Sequence, residues 1–115
     1  MADSRGTGER CVTLATALAR LEEGPDRSSG PVLRHGSLSV ELYAPRGTDS
    51  QTPHTRDEVY LVMRGAGWFV NGGERHPFGP GDVLFVPAGT EHRFEEFTED
   101  FATWVVFYGP EGGET

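Results

Sequence analysis

At 115 residues, 36% of them hydrophobic and 24% charged, the chain has the length of one domain, able to bury roughly two-thirds of its unfolded surface. Every basic residue is arginine, which excludes Schiff-base and P-loop lysine chemistry, and the single cysteine, Cys11, excludes an internal disulfide or a thiolate zinc cluster. A net charge of -8 opposes a nucleic-acid partner. With no apolar run near the ~20 residues of a membrane span and no signal-peptide core at Met1–Gly6, a soluble cytoplasmic protein is expected.

Residues 1–12 are polar and without periodicity, and are expected to fray. Leu14, Leu18 and Leu21 then fall at i, i+4 and i+7, the stripe of a short helix with Thr13 as N-cap and Gly24-Pro25 as its stop. The segment Gly24–Pro31 reads as a loop, so residues 1–30 form an N-terminal tail and helix. Residues 31–110 are strand and turn. Val32–His35, Leu38–Tyr43, Glu58–Met63, Gly67–Val70, Val83–Val86, His92–Phe94 and Thr103–Tyr108 are β runs, with turn signals at Asn71-Gly72-Gly73 and Gly79–Asp82. Residues 111–115 are expected to form a disordered tail. The pattern is that of an all-β sandwich or barrel behind one helix.

A sheet with one wet face alternates apolar and polar residues. Val59–Met63, Val83–Val86 and Trp104–Tyr108 are apolar at both parities. Their outer faces therefore call for a cover, either the helix or a second copy, and a homodimer is expected.

Chemistry centres on the histidines. His35 and His76 read as surface residues, and the acidic run Glu95-Glu96, Glu99-Asp100 as a solvated loop; no chemistry is assigned to Cys11. His54 precedes Glu58 by four residues; on an extended strand they share a face about 13 Å apart, and a bulge or turn between them would bring both onto one metal. Gly81 to His92 reads G-x5-P-x-G-x2-H, a strand, a turn and a histidine that starts the returning strand facing inward. Arg56 and Tyr60 share strand parity with His54 and Glu58, which makes them candidates for orienting an anionic substrate. Trp68, Phe69, Trp104, Phe107 and Tyr108 read as core, and any that face inward would give a cavity aromatic walls.

Taken together, these segments resemble the cupin superfamily, specifically its small single-domain members. The family's motifs are G-x5-H-x-H-x3,4-E-x6-G and G-x5-P-x-G-x2-H-x3-N. The first is met at His54, Glu58 and Gly65, and the second through His92, with Glu96 in place of Asn; together they cover Gly47 to Glu96. The resemblance implies a double-stranded β-helix, a jelly-roll barrel, with a short N-terminal helix in front. It also implies a divalent metal held inside the barrel by His54, Glu58 and His92. The motif's first histidine is replaced by Thr52, with Gln51 beside it: Gln51 could supply an oxygen ligand and Thr52 could hydrogen-bond a metal-bound water. Fe, Mn, Zn, Ni, Co and Cu all suit a His/carboxylate set. The function implied is a metal-dependent enzyme of dioxygenase, isomerase or cyclase type acting on a small organic molecule, with Glu58 as general base if it is not a ligand. The alternative is a barrel that binds a small molecule and catalyses nothing.

Overall fold

The structure is a computed structural model and describes residues 9–24 and 29–115. The first eight residues of the expected tail, and 25–28 of the expected loop, lie outside it.

Helix α1 spans Leu14–Glu23, and both of its ends follow from local chemistry. The Thr13 hydroxyl accepts from the Thr16 N–H at 3.1 Å, and the Gly24 N–H donates back to Leu21 O at 3.2 Å. Eight strands follow: β1 Ser29–His35, β2 Leu38–Tyr43, β3 Asp57–Arg64, β4 Gly67–Asn71, β5 Glu74–Phe78, β6 Val83–Val86, β7 His92–Glu95 and β8 Ala102–Tyr108. They form an antiparallel five-stranded sheet in the order β1-β2-β8-β3-β6, facing a three-stranded sheet in the order β5-β4-β7.

Two strand boundaries depart from the sequence reading. Ser29-Gly30-Pro31, expected as loop, pairs with Tyr43, Leu42 and Glu41. A proline is tolerated there because β1 is an edge strand and no ladder bond needs its missing N–H. The polar segment Glu74–Phe78 is a full strand because the turn at Gly72, with φ +65°, returns the chain onto β4.

The barrel interior is aromatic: Tyr60, Phe69, Phe78, Phe94 and Phe101 pack with Val62, Leu84, Val86 and Val105 between the sheets. A second cluster lies outside the larger sheet, where Ala17 and Leu21 of α1 cover Val32, Leu42 and Ala102. The helix thus covers the β1-β2-β8 side. On the β3-β6 side, Leu61, Met63, Val83 and Phe85 stay exposed.

The C-terminal residues, expected to be disordered, fold back onto the barrel. The Gly112 N–H donates to Thr55 O at 2.6 Å and the Glu114 N–H to Asp57 Oδ2 at 2.8 Å. Glycines at 109, 112 and 113, all with positive φ, let the chain turn tightly enough to do this.

Candidate metal centre

Glu58 is the second residue of β3, between Val86 of β6 and Phe107 of β8, and its side chain is fully buried in the barrel. His92 opens β7 and is 4% exposed. His54 lies in the loop ahead of β3. The strand starts only at Asp57, so the extended separation never applies and the loop folds His54 back over Glu58. Glu58 Oε1 is 3.0 Å from His54 Nδ1 and 3.0 Å from His92 Nε2, and one ligating atom from each residue lies within 4.8 Å of the others.

The backbone fixes this convergence. Gly89, at φ +80° in the Pro87–Thr90 turn, donates its N–H to His54 O at 2.7 Å. The same turn is tied to β3 by Asp57 Oδ1, which accepts from the Ala88 N–H at 2.9 Å. The motif's proline and glycine are therefore hairpin residues that also set where His54 stands relative to His92.

The donor set suits a cation. His92 Nδ1 lies 2.8 Å from Thr90 O, and a carbonyl only accepts, so Nδ1 carries a proton; the neutral ring in that tautomer is the form that presents a bare Nε2 to the cavity, as a metal ligand must. That Nε2 and Glu58 Oε2 are buried without a hydrogen-bond partner, and the 3.0 Å approach of Nε2 to Oε1 lacks hydrogen-bond geometry. Two lone-pair-bearing atoms at that distance repel unless positive charge lies between them, which a divalent metal, like a proton on the imidazole, supplies. The carbonyl behind His92 is the orienting partner that metal-bound imidazoles usually have. Burial alone would raise the Glu58 pKa, but the two imidazoles outweigh it and hold the carboxyl below its usual range. Burial would lower that of His92, and Glu58 with the Thr90 carbonyl outweighs it in the other direction.

A cavity of about 150 Å³ opens beside these residues, lined by Glu41, Tyr43, Gln51, Tyr60 and Phe107 with His54 and Glu58. Tyr60 does face it. Its hydroxyl donates to Gln51 Oε1 at 3.2 Å, and burial, followed by the Glu58 charge, keeps the phenol protonated. The Gln51 carbonyl is thus engaged by Tyr60, while its amide donates to Asp49 Oδ2 at 2.8 Å; Thr52 is exposed. Arg56 lies outside the cavity lining: it precedes the strand, so parity does not govern it, and its Nε donates to Gly109 O at 3.1 Å. His35 is exposed. His76, half-buried, lies edge-on to Phe69 at 5.9 Å and belongs to neither the cluster nor the cavity.

Two polar residues of the site went unread in the sequence. Asp49 accepts from the Tyr43 hydroxyl, from both nitrogens of Gln51 and from the Phe94 N–H. Its bond to the Gln51 N–H is an Asx turn, for which Asp49-Ser50-Gln51 is a legible cue. Glu41 alternates with Val40 and Leu42 along β2, and with Leu42 under the helix the carboxylate faces the barrel.

Comparison with known proteins agrees with this geometry. Residues 39–108 match the family described as Cupin domain, and the chain belongs to that family. An uncharacterised protein of Streptomyces coelicolor is 44% identical over 81 residues, which cover 69% of this chain and 77% of that one. A solved cupin 2 conserved barrel protein of Salinispora arenicola superimposes with a TM-score of 0.60 at 23% identity, over 70% of this chain and 74% of that one. A 5-aminosalicylate 1,2-dioxygenase of Comamonas is 35% identical over 66 residues, 57% of this chain but only 18% of that enzyme. Among the described residues no helix is long and apolar enough to cross a membrane.

Proposed function

We propose that this cupin is a mononuclear metalloenzyme acting on a small organic molecule, with a divalent ion held by His54, Glu58 and His92. The observation that carries the reading is the inward-facing Nε2 of His92, buried without a hydrogen-bond partner beside a buried carboxylate that has an oxygen to spare. When bound, such an ion supplies Lewis-acid polarisation or oxygen activation. Thr90 O holds the His92 tautomer, and Phe107, with its ring centroid 5.1 Å from that of His54, limits how that imidazole can turn. Tyr60, kept protonated and with its one proton donated to Gln51, is not a base. Glu58 is assigned as ligand because both imidazoles meet its Oε1. The match to part of a dioxygenase is in keeping with oxygen chemistry. The exposed Thr52, where the cupin motif has its first histidine, favours the second reading, a barrel that binds its small molecule without turning it over.

Elemental analysis of protein never exposed to chelator or nickel resin tests the site, with His92→Ala beside it. Near-stoichiometric metal is expected in the wild type, falling on the order of tenfold or more in the variant. An iron-containing protein that takes up oxygen in the presence of candidate substrates supports catalysis. Metal content that is negligible in both proteins, even after incubation with Fe(II), Mn(II) and Zn(II), contradicts the proposal.

We also infer that the exposed face of β3 and β6 receives a second copy of this chain. Val59 pairs with Phe85 and Leu61 with Val83, so their side chains form one continuous uncharged patch. At a net charge of -8, two copies repel except where a face carries no carboxylates.

A further inference from the structure

The polar groups around the cavity are mostly paired. Tyr60 donates to Gln51, Gln51 and Tyr43 donate to Asp49, and His54 meets Glu58. Glu41 is the exception: it lines the cavity half-buried and makes no hydrogen bond with any described residue. Its register explains why. On β2 it stands opposite Val105 of β8 and Pro31 of β1, and neither side chain offers a donor. The charges acting on it are those of His54 and Glu58 within the cavity and of Arg34, exposed on β1. Among the described residues the lining thus holds two carboxyl groups and no arginine.

A half-buried carboxylate without a partner is unfavourable, and it is tolerated where a ligand completes it. Resting on the metal-site reading above, we propose that Glu41 is the specificity-determining residue of this cavity. It accepts a hydrogen bond from the far end of the ligand and selects small molecules with a metal-binding oxygen at one end and a hydroxyl or ammonium at the other. A second carboxylate at that end would instead meet like charge. A volume of about 150 Å³, well below that of a drug-sized pocket, restricts the ligand to a few heavy atoms.

The test uses Co(II)-loaded full-length protein and four probes of similar size: β-alanine, 3-hydroxypropionate, butyrate and malonate. Binding is read from the cobalt absorption bands and by calorimetry. Wild type is expected to bind β-alanine and 3-hydroxypropionate about tenfold tighter than butyrate or malonate, the scale of one charge-assisted hydrogen bond. Glu41→Leu is expected to lose that preference and Glu41→Gln to lose the ammonium preference, both with unchanged cobalt content. Equal ranking in wild type and Glu41→Leu, malonate as the tightest ligand, or no binding of any probe overturns the assignment. Failure of the metal reading looks different: cobalt bands are then absent from wild type and His92→Ala alike. The same probes are in that case compared by saturation-transfer NMR on metal-free protein. There a preference that vanishes in Glu41→Leu upholds the role of Glu41, and its absence refutes it.

Discussion

Glu58 brings together two opposing demands, burial and charge. Its carboxylate is fully buried, yet the imidazoles on either side keep it ionised. A buried carboxylate that serves a metal costs stability when the metal is absent. Glu58→Gln is therefore expected to melt no lower than wild type when both are metal-free, and to lose the rise in Tm that added metal gives the wild type. Thermal melts with and without Mn(II) check this; a lower metal-free Tm in the variant, with metal stabilisation intact, would count against the ligand role. Asp49 is a contrasting case, a carboxylate fully used by the protein. Asp49→Ala orphans the Phe94 N–H and frees Gln51, so a loss of roughly 1–3 kcal/mol is expected in urea titration. The three residues that converge were legible in the sequence because the motif spacing marks them. Asp49 and Glu41 were not, because nothing in their own neighbourhood says that a loop and a strand face will meet around His54.

At the scale of elements, the centre depends on segments distant in sequence being tied together at the start of β3. Asp57 does most of this, accepting the Glu114 and Ala88 N–H groups, and those bonds hold its pKa below the usual carboxylate range. A depressed folded pKa means that its stabilisation is complete at neutral pH and is lost as pH falls below about 4 through the folded value. Asp57→Asn can accept at only one oxygen. It is expected to lower the Tm at pH 7 and to flatten the acid side of the stability profile; an unchanged acid limb would show that the clasp does not contribute. Gly65 shows a different constraint. It sits at φ +85° in the β3–β4 connection, and a Cβ there would lie 2.5 Å from the Phe101 Cα. Gly65→Ala should cost at least about 2 kcal/mol, read by chemical denaturation. The strands themselves were plain from their β-branched and aromatic runs. The ordered C-terminal segment was not, because its glycines are as compatible with a flexible tail as with tight turns, and only the contact with Asp57 distinguishes them. Arg56 illustrates the limit of parity arguments, which hold only inside a strand.

For the whole molecule, the apolar runs at both parities have a twofold explanation. The helix covers one half of the larger sheet's outer face, and the other half is left with Phe85 at 48% and Val83 at 64% exposure. If a second copy covers that half, Phe85→Glu should convert a dimer to a soluble monomer in sedimentation without loss of bound metal; a monomeric wild type would contradict the assembly. The candidate metal residues His54, Glu58 and His92 do not belong to that exposed patch.

The most direct measurement is anomalous diffraction from crystals of the Co(II)-loaded protein. The account expects one strong peak inside the barrel, at roughly 2.0–2.3 Å from His92 Nε2, a Glu58 carboxylate oxygen and a His54 ring nitrogen. A peak elsewhere, or none at a cobalt concentration that saturates the protein in solution, would contradict it.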